Sequence, residues 1–507
     1  MDISKREILS KLNFGKIIAE EERDNLRAYF VETEFWRRVY RGDVDIVYGE
    51  KGAGKSAIYV LIDSLETELF DKNVLLVSAE HVRGSVVFKA LVTDPPTSER
   101  EFVYLWKLYF AALIGQSLRD YELLEDCSKP AIDALQASGL LHKRDVPLTA
   151  ILKSVMDYAK RVRPTGVEST VHLDQHSGLA TGVTGRILFG EPTTKEREEG
   201  TISADELLSL LNENLRRAKY TLWILMDRLD VAFEENDELE ENALRALFRT
   251  YLDIANNACI SLKIFLRSDI WNRITRRGFR EATHLTRGEV ISWNDKSLFN
   301  LVMRRLLANQ SIVENFSVDR DAVLQSEGEQ WNLFRRLFPE KVDQAEKKPL
   351  TFDWLLTRVE DSSGRRTPRD LVLFLNELVK QEISRLERGG SENDGETLFD
   401  RNSFKASLPA VSLYRLERTL YAEHPRLRDK VEMLRGGKSE LSIENLRGVW
   451  HLDQSETGKI ADELVEVGFF RKKQTEGVGT TYWIPFVFRP ALELTMGRAS
   501  QAEEDES

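Results

Sequence analysis

Eight residues, Gly49-Glu50-Lys51-Gly52-Ala53-Gly54-Lys55-Ser56, match the spacing G-x-x-x-x-G-K-[ST] in full. That spacing holds phosphate. The glycines let the backbone fold tightly, so that successive N–H groups converge on phosphate oxygens. The helix opened by Lys55, Ser56 and Ala57 adds the positive end of its dipole. Lys55 is placed to reach the β- and γ-phosphates, and the Ser56 hydroxyl to ligate Mg²⁺. ATP with Mg²⁺ is the expected ligand pair.

Mg²⁺ needs a second hard oxygen, expected from an acid at the end of a neighbouring strand. "TLWILMDRLD" provides Asp227 directly after an apolar run, which makes Ser56 and Asp227 the metal candidates. Asp230 either orients the attacking water, binds the metal through water, or caps the next helix. Arg267 ends the run "ISLKIFLR" and either senses the γ-phosphate or pairs with Asp269. Arg369, just after Pro368, either reaches the nucleotide or is a solvated charge at a helix start. Lys55, Asp227, Asp230 and Arg267 are the catalytic candidates. Gly49 through Ala57 with Arg369 are the nucleotide-binding ones.

These residues need a parallel sheet to bring them together. "DVDIVYG", "NVLLVSAE", "KYTLWILMDRLD" and "ISLKIFLRSDIW" read as buried strands separated by helical stretches, the pattern of an α/β sheet covered on both faces. In "GVESTVHLDQH", Glu168, Thr170, His172, Asp174 and His176 share one parity, a strand with one wet face. The following "LATGVTGRILFG" reads as its returning partner. A β-hairpin over about 166–190 is therefore expected inside the α/β domain. His172, Asp174 and His176 fit a solvated hairpin face better than a metal site.

Residues 1–288 are expected to form the nucleotide-binding domain and 289–388 a helical lid. A polar linker over 389–399, a C-terminal domain over 400–499 and a disordered acidic tail over 500–507 complete the division. With 507 residues, 42% hydrophobic and 31% charged, the chain supports several cores. Two cysteines, Cys127 and Cys259, provide no disulfide framework. No apolar leader opens the sequence and no run is long enough to span a bilayer. A cytoplasmic protein is expected. The net charge of −12 opposes a whole-surface nucleic-acid coat.

The strings "FGKIIAEEERDNLRAYFVET", "GEKGAGKSA", "DRLDVAF", "IFLRSDIWNRI" and "GRRTPRDLVLFLNEL" resemble a bacterial family of STAND/AAA+-like P-loop ATPases. These are similar in outline to origin-recognition ATPases, with a helical lid and a C-terminal winged helix. The resemblance spans nearly the whole chain. It implies a nucleotide-gated switch acting through a partner effector or through self-assembly, in a class often found in antiphage defence. Arg228 stands where many P-loop ATPases carry a catalytic glutamate, which implies slow hydrolysis.

The C-terminal segment "SIENLRGVWHLDQSETGKIADELVEVGFFRKK" reads as helix, turn, helix. Its second helix is expected over Ser455–Val467, capped by Ser455, with Ile460, Leu464 and Val467 facing the core. Arg471, Lys472 and Lys473 then open a wing. Between 401 and 499 there are 16 Lys and Arg against 13 Asp and Glu, so DNA binding through this domain is the alternative function. Against it, Glu456, Asp462, Glu463 and Glu466 crowd the expected recognition helix, and acids facing phosphates cost affinity. Docking to protein is the preferred reading.

Overall fold

The computed structural model describes residues 4–79, 98–142, 146–162, 187–188, 190–198, 200–229, 237–276, 278–390, 397–475 and 479–498. The chain divides into two compact units, Glu32–Ser292 and Met1–Val31 together with Trp293–Ser507.

The Glu32–Ser292 unit is α/β. Its strands are β1 (Ile46–Gly49), β2 (Val74–Ser78), β3 (Ile187–Leu188), β4 (Ile202–Ser203), β5 (Thr221–Met226), β6 (Ile260–Arg267) and β7 (Gly288–Val290). Five of them form one parallel sheet in the order β2-β5-β6-β1-β7. Leu222–Met226 and Leu262–Leu266 are buried throughout, as expected of parallel strands covered on both faces. The helix Glu99–Asp120, started by Ser98 accepting from the Glu101 N–H at 3.3 Å, contributes sixteen buried residues to that cover. From β1 the chain crosses to β2 on one side, and from β6 it crosses to β7 on the other. The C-terminal end of β1 is therefore the point where crossovers diverge, the usual position of a ligand crevice in open sheets.

One strand position breaks the apolar run. Lys263 of β6 is 1% exposed, and its Nζ donates to Asp45 Oδ1 at 2.7 Å and Val44 O at 2.8 Å. It also lies 4.4 Å from the Trp223 ring centroid. Asp45 Oδ2 accepts from Tyr251 at 3.0 Å and pairs with Arg287 at 3.1 Å. The buried charge is thus fully engaged, as burial requires.

The hairpin expected over 166–190 lies largely outside the described residues. Its described end, β3, pairs in parallel with β4, and Tyr104 and Tyr158 both donate to the Ile187 carbonyl, at 2.6 and 3.2 Å.

In the second unit, Ile8, Leu9, Leu12 and Phe14 share a core with Leu298–Leu307, Phe334, Trp354 and Phe374. Arg305 Nη2 meets Glu22 Oε2 at 2.8 Å, both side chains nearly enclosed. Asn376 receives the Phe14 N–H at 3.2 Å and donates to Gly15 O at 2.7 Å. The assignment of 1–288 to one domain is therefore corrected at both ends. Residues 1–31 belong with the helices after 293, and β7 keeps 288–290 in the sheet. Helical spacing marks a buried face without naming the core that buries it.

The linker over 389–399 also shrinks. Residues 391–396 lie outside the described ones, but Leu398 and Phe399 are buried, with Phe399 stacked on Phe338 at 5.0 Å. The helix Arg401–Arg415 buries Phe404 and Val411 in the helical core, so a separate C-terminal core begins at Leu416 rather than at 400. That core covers β8 (Lys438–Ser442), β9 (Arg471–Thr475), β10 (Gly479–Trp483) and β11 (Thr495–Arg498), ordered β11-β8-β10-β9. Helices Ile443–Trp450 and Gln454–Glu466 lie between β8 and β9 in sequence. The cap of the second helix lies two residues earlier than expected. Asp453, not Ser455, is its cap, accepting from the Glu456 N–H at 2.9 Å. Gly468 ends it at φ 84°, a conformation glycine adopts freely. Residues 499–507 lie outside the described residues. Among the described residues no helix is long and apolar enough to cross a membrane.

Candidate functional site

β1 ends at Gly49, directly beside Arg267 of β6. The chain then bends through Gly52 at φ 85° and Gly54 at φ 107°. Both values are left-handed, where a side chain costs roughly 1–2 kcal/mol, so the two glycines set the bend. The Ala53 N–H closes it on Glu50 O at 3.1 Å. A Cβ on Gly49 would come within 3.3 Å of Ala53 Cβ. The helix Lys55–Ser64 starts at Gly54 with no side-chain cap and no acid in its first turn. Its leading N–H groups and the positive end of its dipole therefore face the bend without a capping side chain.

Lys55 Nζ donates to Gly49 O at 2.9 Å and Glu50 O at 3.1 Å, so the lysine arches back over the bend. Ser56 Oγ donates to Asp227 Oδ2 at 2.9 Å. Asp227 is 6% exposed and follows β5, whose Met226 pairs with Ile264 of β6, the same residue that pairs with Ile46 of β1. One row across three strands thus carries Asp227 to the helix that follows the bend. A hydroxyl and a carboxylate, both hard oxygen donors, fit Mg²⁺.

Arg228, next in sequence, is held at φ 58°. A non-glycine residue in that region is a strained conformation beside the acid. Asp230 lies outside the described residues. Arg267 makes a two-pronged contact with Asp269, Nε to Oδ1 at 3.0 Å and Nη2 to Oδ2 at 2.8 Å. Burial pushes the Asp269 carboxyl up, but the hydrogen bonds and charge of Arg267, its own N–H and the charge of Lys55 together hold it below the usual carboxylate range. Arg369 is the second residue of the helix Pro368–Glu387, capped by Thr367, and belongs to the other compact unit. His172, Asp174 and His176 lie outside the described residues, and no cluster of three or more metal-ligating side chains occurs among the described ones.

Glu240 and Glu241 are each 4% exposed, and Glu240 pairs with Arg273. The Lys263–Asp45 pair has no counterpart among the sequence expectations. The visible signal was a lysine in the middle of "ISLKIFLR".

In the second unit, the loop between Val359 and Thr367 joins the helical core to the C-terminal core. The Ser362 N–H donates to Gly468 O at 3.0 Å, and Arg471 Nε donates to Ser362 O at 2.9 Å. Arg471 also meets Glu360 at 3.3 Å, and Lys472 meets Asp462 at 2.8 Å. Arg415 reaches Asp370 at 2.7 Å and Asp361 at 3.4 Å. Two of the three basic residues that open the expected wing are thus occupied within the chain.

No protein-family model and no curated protein matches the chain.

Proposed function

We propose that the chain is an ATP-binding switch of the P-loop class that hydrolyses its nucleotide slowly. The observation carrying this reading is the 2.9 Å hydrogen bond from Ser56 to Asp227, residues 171 positions apart, at the end of a strand and beside a glycine bend. A phosphate-binding motif and a metal-binding acid meet there as the chemistry requires. Gly49–Ser56 hold the phosphates through N–H groups and Lys55. Ser56 and Asp227 hold Mg²⁺, which when bound neutralises charge on the β- and γ-phosphate oxygens. Arg267 reads the terminal phosphate.

The helices after Trp293 act as a lid, and the C-terminal core as a winged helix. Engagement of Arg471 and Lys472 within the chain supports a docking role for that module over DNA readout. Output passes to a partner effector or to an assembly of copies in the cytoplasm. A setting in bacterial antiphage defence rests on the family resemblance alone.

The deciding experiment is titration of the full chain with a fluorescent ATP analogue, with and without Mg²⁺. Saturable, Mg²⁺-dependent binding is expected, and its absence removes the reading. Retention of DNA on filters that declines with salt, in a chain that also binds ATP, would move the output to DNA.

A further inference from the structure

Arg267 stands level with Gly49 on the adjacent strand, so its guanidinium starts from the edge of the phosphate bend. There it donates to both oxygens of Asp269, two residues further along the chain. The arrangement is a fork-to-fork pair, the geometry in which arginine binds carboxylate and phosphate alike. The Arg267 side chain is 17% exposed, whereas that of Asp269 is 49% exposed. The acid is therefore the wetter partner of the pair and the arginine, at the sheet edge, the more enclosed one. Lys55 lies near enough for its charge to act on the same carboxylate.

We propose that Asp269 is a built-in competitor for the terminal phosphate: it occupies Arg267 when the site holds no triphosphate and yields the guanidinium to the γ-phosphate when one binds. This rests on the nucleotide-binding reading above and adds to it how the site separates triphosphate from diphosphate. A diphosphate has no γ-oxygens to take the guanidinium, so Arg267 stays with Asp269. A triphosphate must displace the acid first, and the displaced carboxylate remains a like charge near the phosphates. Asp269 is thus a positioning residue that sets the threshold concentration at which triphosphate changes the site.

The test is equilibrium binding of ATPγS and of ADP, each with Mg²⁺, to the wild-type chain, Asp269→Asn, Arg267→Gln and the double variant. Asp269→Asn keeps the shape and removes the charge. It should tighten ATPγS by about fivefold to tenfold and ADP by much less, raising the preference for triphosphate. In the Arg267→Gln background the same change should shift that preference little, because the competition has lost its object. An unchanged or lowered preference in Asp269→Asn overturns the proposal. So does an equal rise with and without Arg267, which would assign the effect to simple removal of charge. If the wild-type chain binds neither nucleotide, the nucleotide-binding reading itself has failed and the proposal falls with it. Thermal unfolding of each variant identifies any that is not folded, and Arg267→Lys then replaces Arg267→Gln.

Discussion

Lys55 Nζ donates to the carbonyls of Gly49 and Glu50, at 2.9 and 3.1 Å, so the lysine is held by the bend that it closes. Both acceptors are backbone carbonyls at the edge of the bend. Lys55→Ala should therefore leave the fold intact and weaken ATP binding. Loss of a charged hydrogen bond of about 1.5–3 kcal/mol corresponds to roughly 10- to 150-fold in affinity. Isothermal titration of the full chain with ATP and Mg²⁺ measures it. Unchanged affinity would remove Lys55 from the site.

Asp227 is buried, with Ser56 as a hydrogen-bond partner on the next helix. Asp227→Asn keeps the volume and an acceptor oxygen, and removes the charge a divalent ion needs. The expected result is ATP binding that no longer responds to Mg²⁺ and turnover reduced at least about 100-fold, with a circular dichroism spectrum like that of the wild type. Wild-type phosphate release in this variant would sink the metal assignment.

The Asp269 carboxyl has a native value below its ordinary one of about 4. A depressed acid contributes stability above its unfolded value and loses it as pH falls through the lower native value. Between about pH 5.5 and 8 the Arg267–Asp269 pair should not titrate at all. Nucleotide preference set by this pair should be flat over that window. Carbon-detected magnetic resonance of the labelled carboxylate provides the check, and a midpoint above the ordinary value would contradict it.

Lys263 is the charge most deeply set in the sheet, with Asp45 as its counter-ion at 2.7 Å. Removing one partner of such a pair leaves the other buried and costs about 3–5 kcal/mol. Arg287 and Tyr251 also reach Asp45, so Lys263→Met should fall at the lower end of that range. Lys263→Met combined with Asp45→Asn should cost less than the sum of the two single changes. Urea unfolding of the full chain followed by circular dichroism decides, and full additivity would show the pair to be uncoupled.

Arg471 grips the Ser362 carbonyl and Glu360 from the first residue of β9. If the C-terminal module is docked through this arginine, Arg471→Ala should speed exchange of the Ser362 amide, bonded to Gly468 O, by roughly tenfold. Hydrogen-exchange mass spectrometry of peptides covering 360–367 reads it directly. No change there would return Arg471 to the pool of side chains available for DNA.

The four strands that frame the site were readable because buried parallel strands are short apolar runs, and "TLWILM" and "IFL" have no other sensible reading beside a glycine bend. The Ser56–Asp227 meeting was readable only through chemistry: a phosphate-bound metal demands a second oxygen, and Asp227 was the acid at a strand end. What stayed hidden depended on partners distant in sequence. Phe14 and Leu9 announce an apolar face, but nothing local says that helices after Trp293 cover it. Lys263 reads as an anomaly until Asp45, 218 positions away, is seen to face it. The cap at Asp453 was missed because Ser455 and Asp453 are both good caps two residues apart, and tertiary packing decides which N–H is left over.

The Glu32–Ser292 unit begins and ends at neighbouring points, since Arg38 and Glu289, near its two ends, pair at 2.8 Å. In sequence this unit is therefore an insert, spliced into the rest of the chain by two covalent threads. A tether of one strand can swivel freely; a tether of two resists twisting. Cleaving one thread therefore leaves the other as a covalent link between the two units.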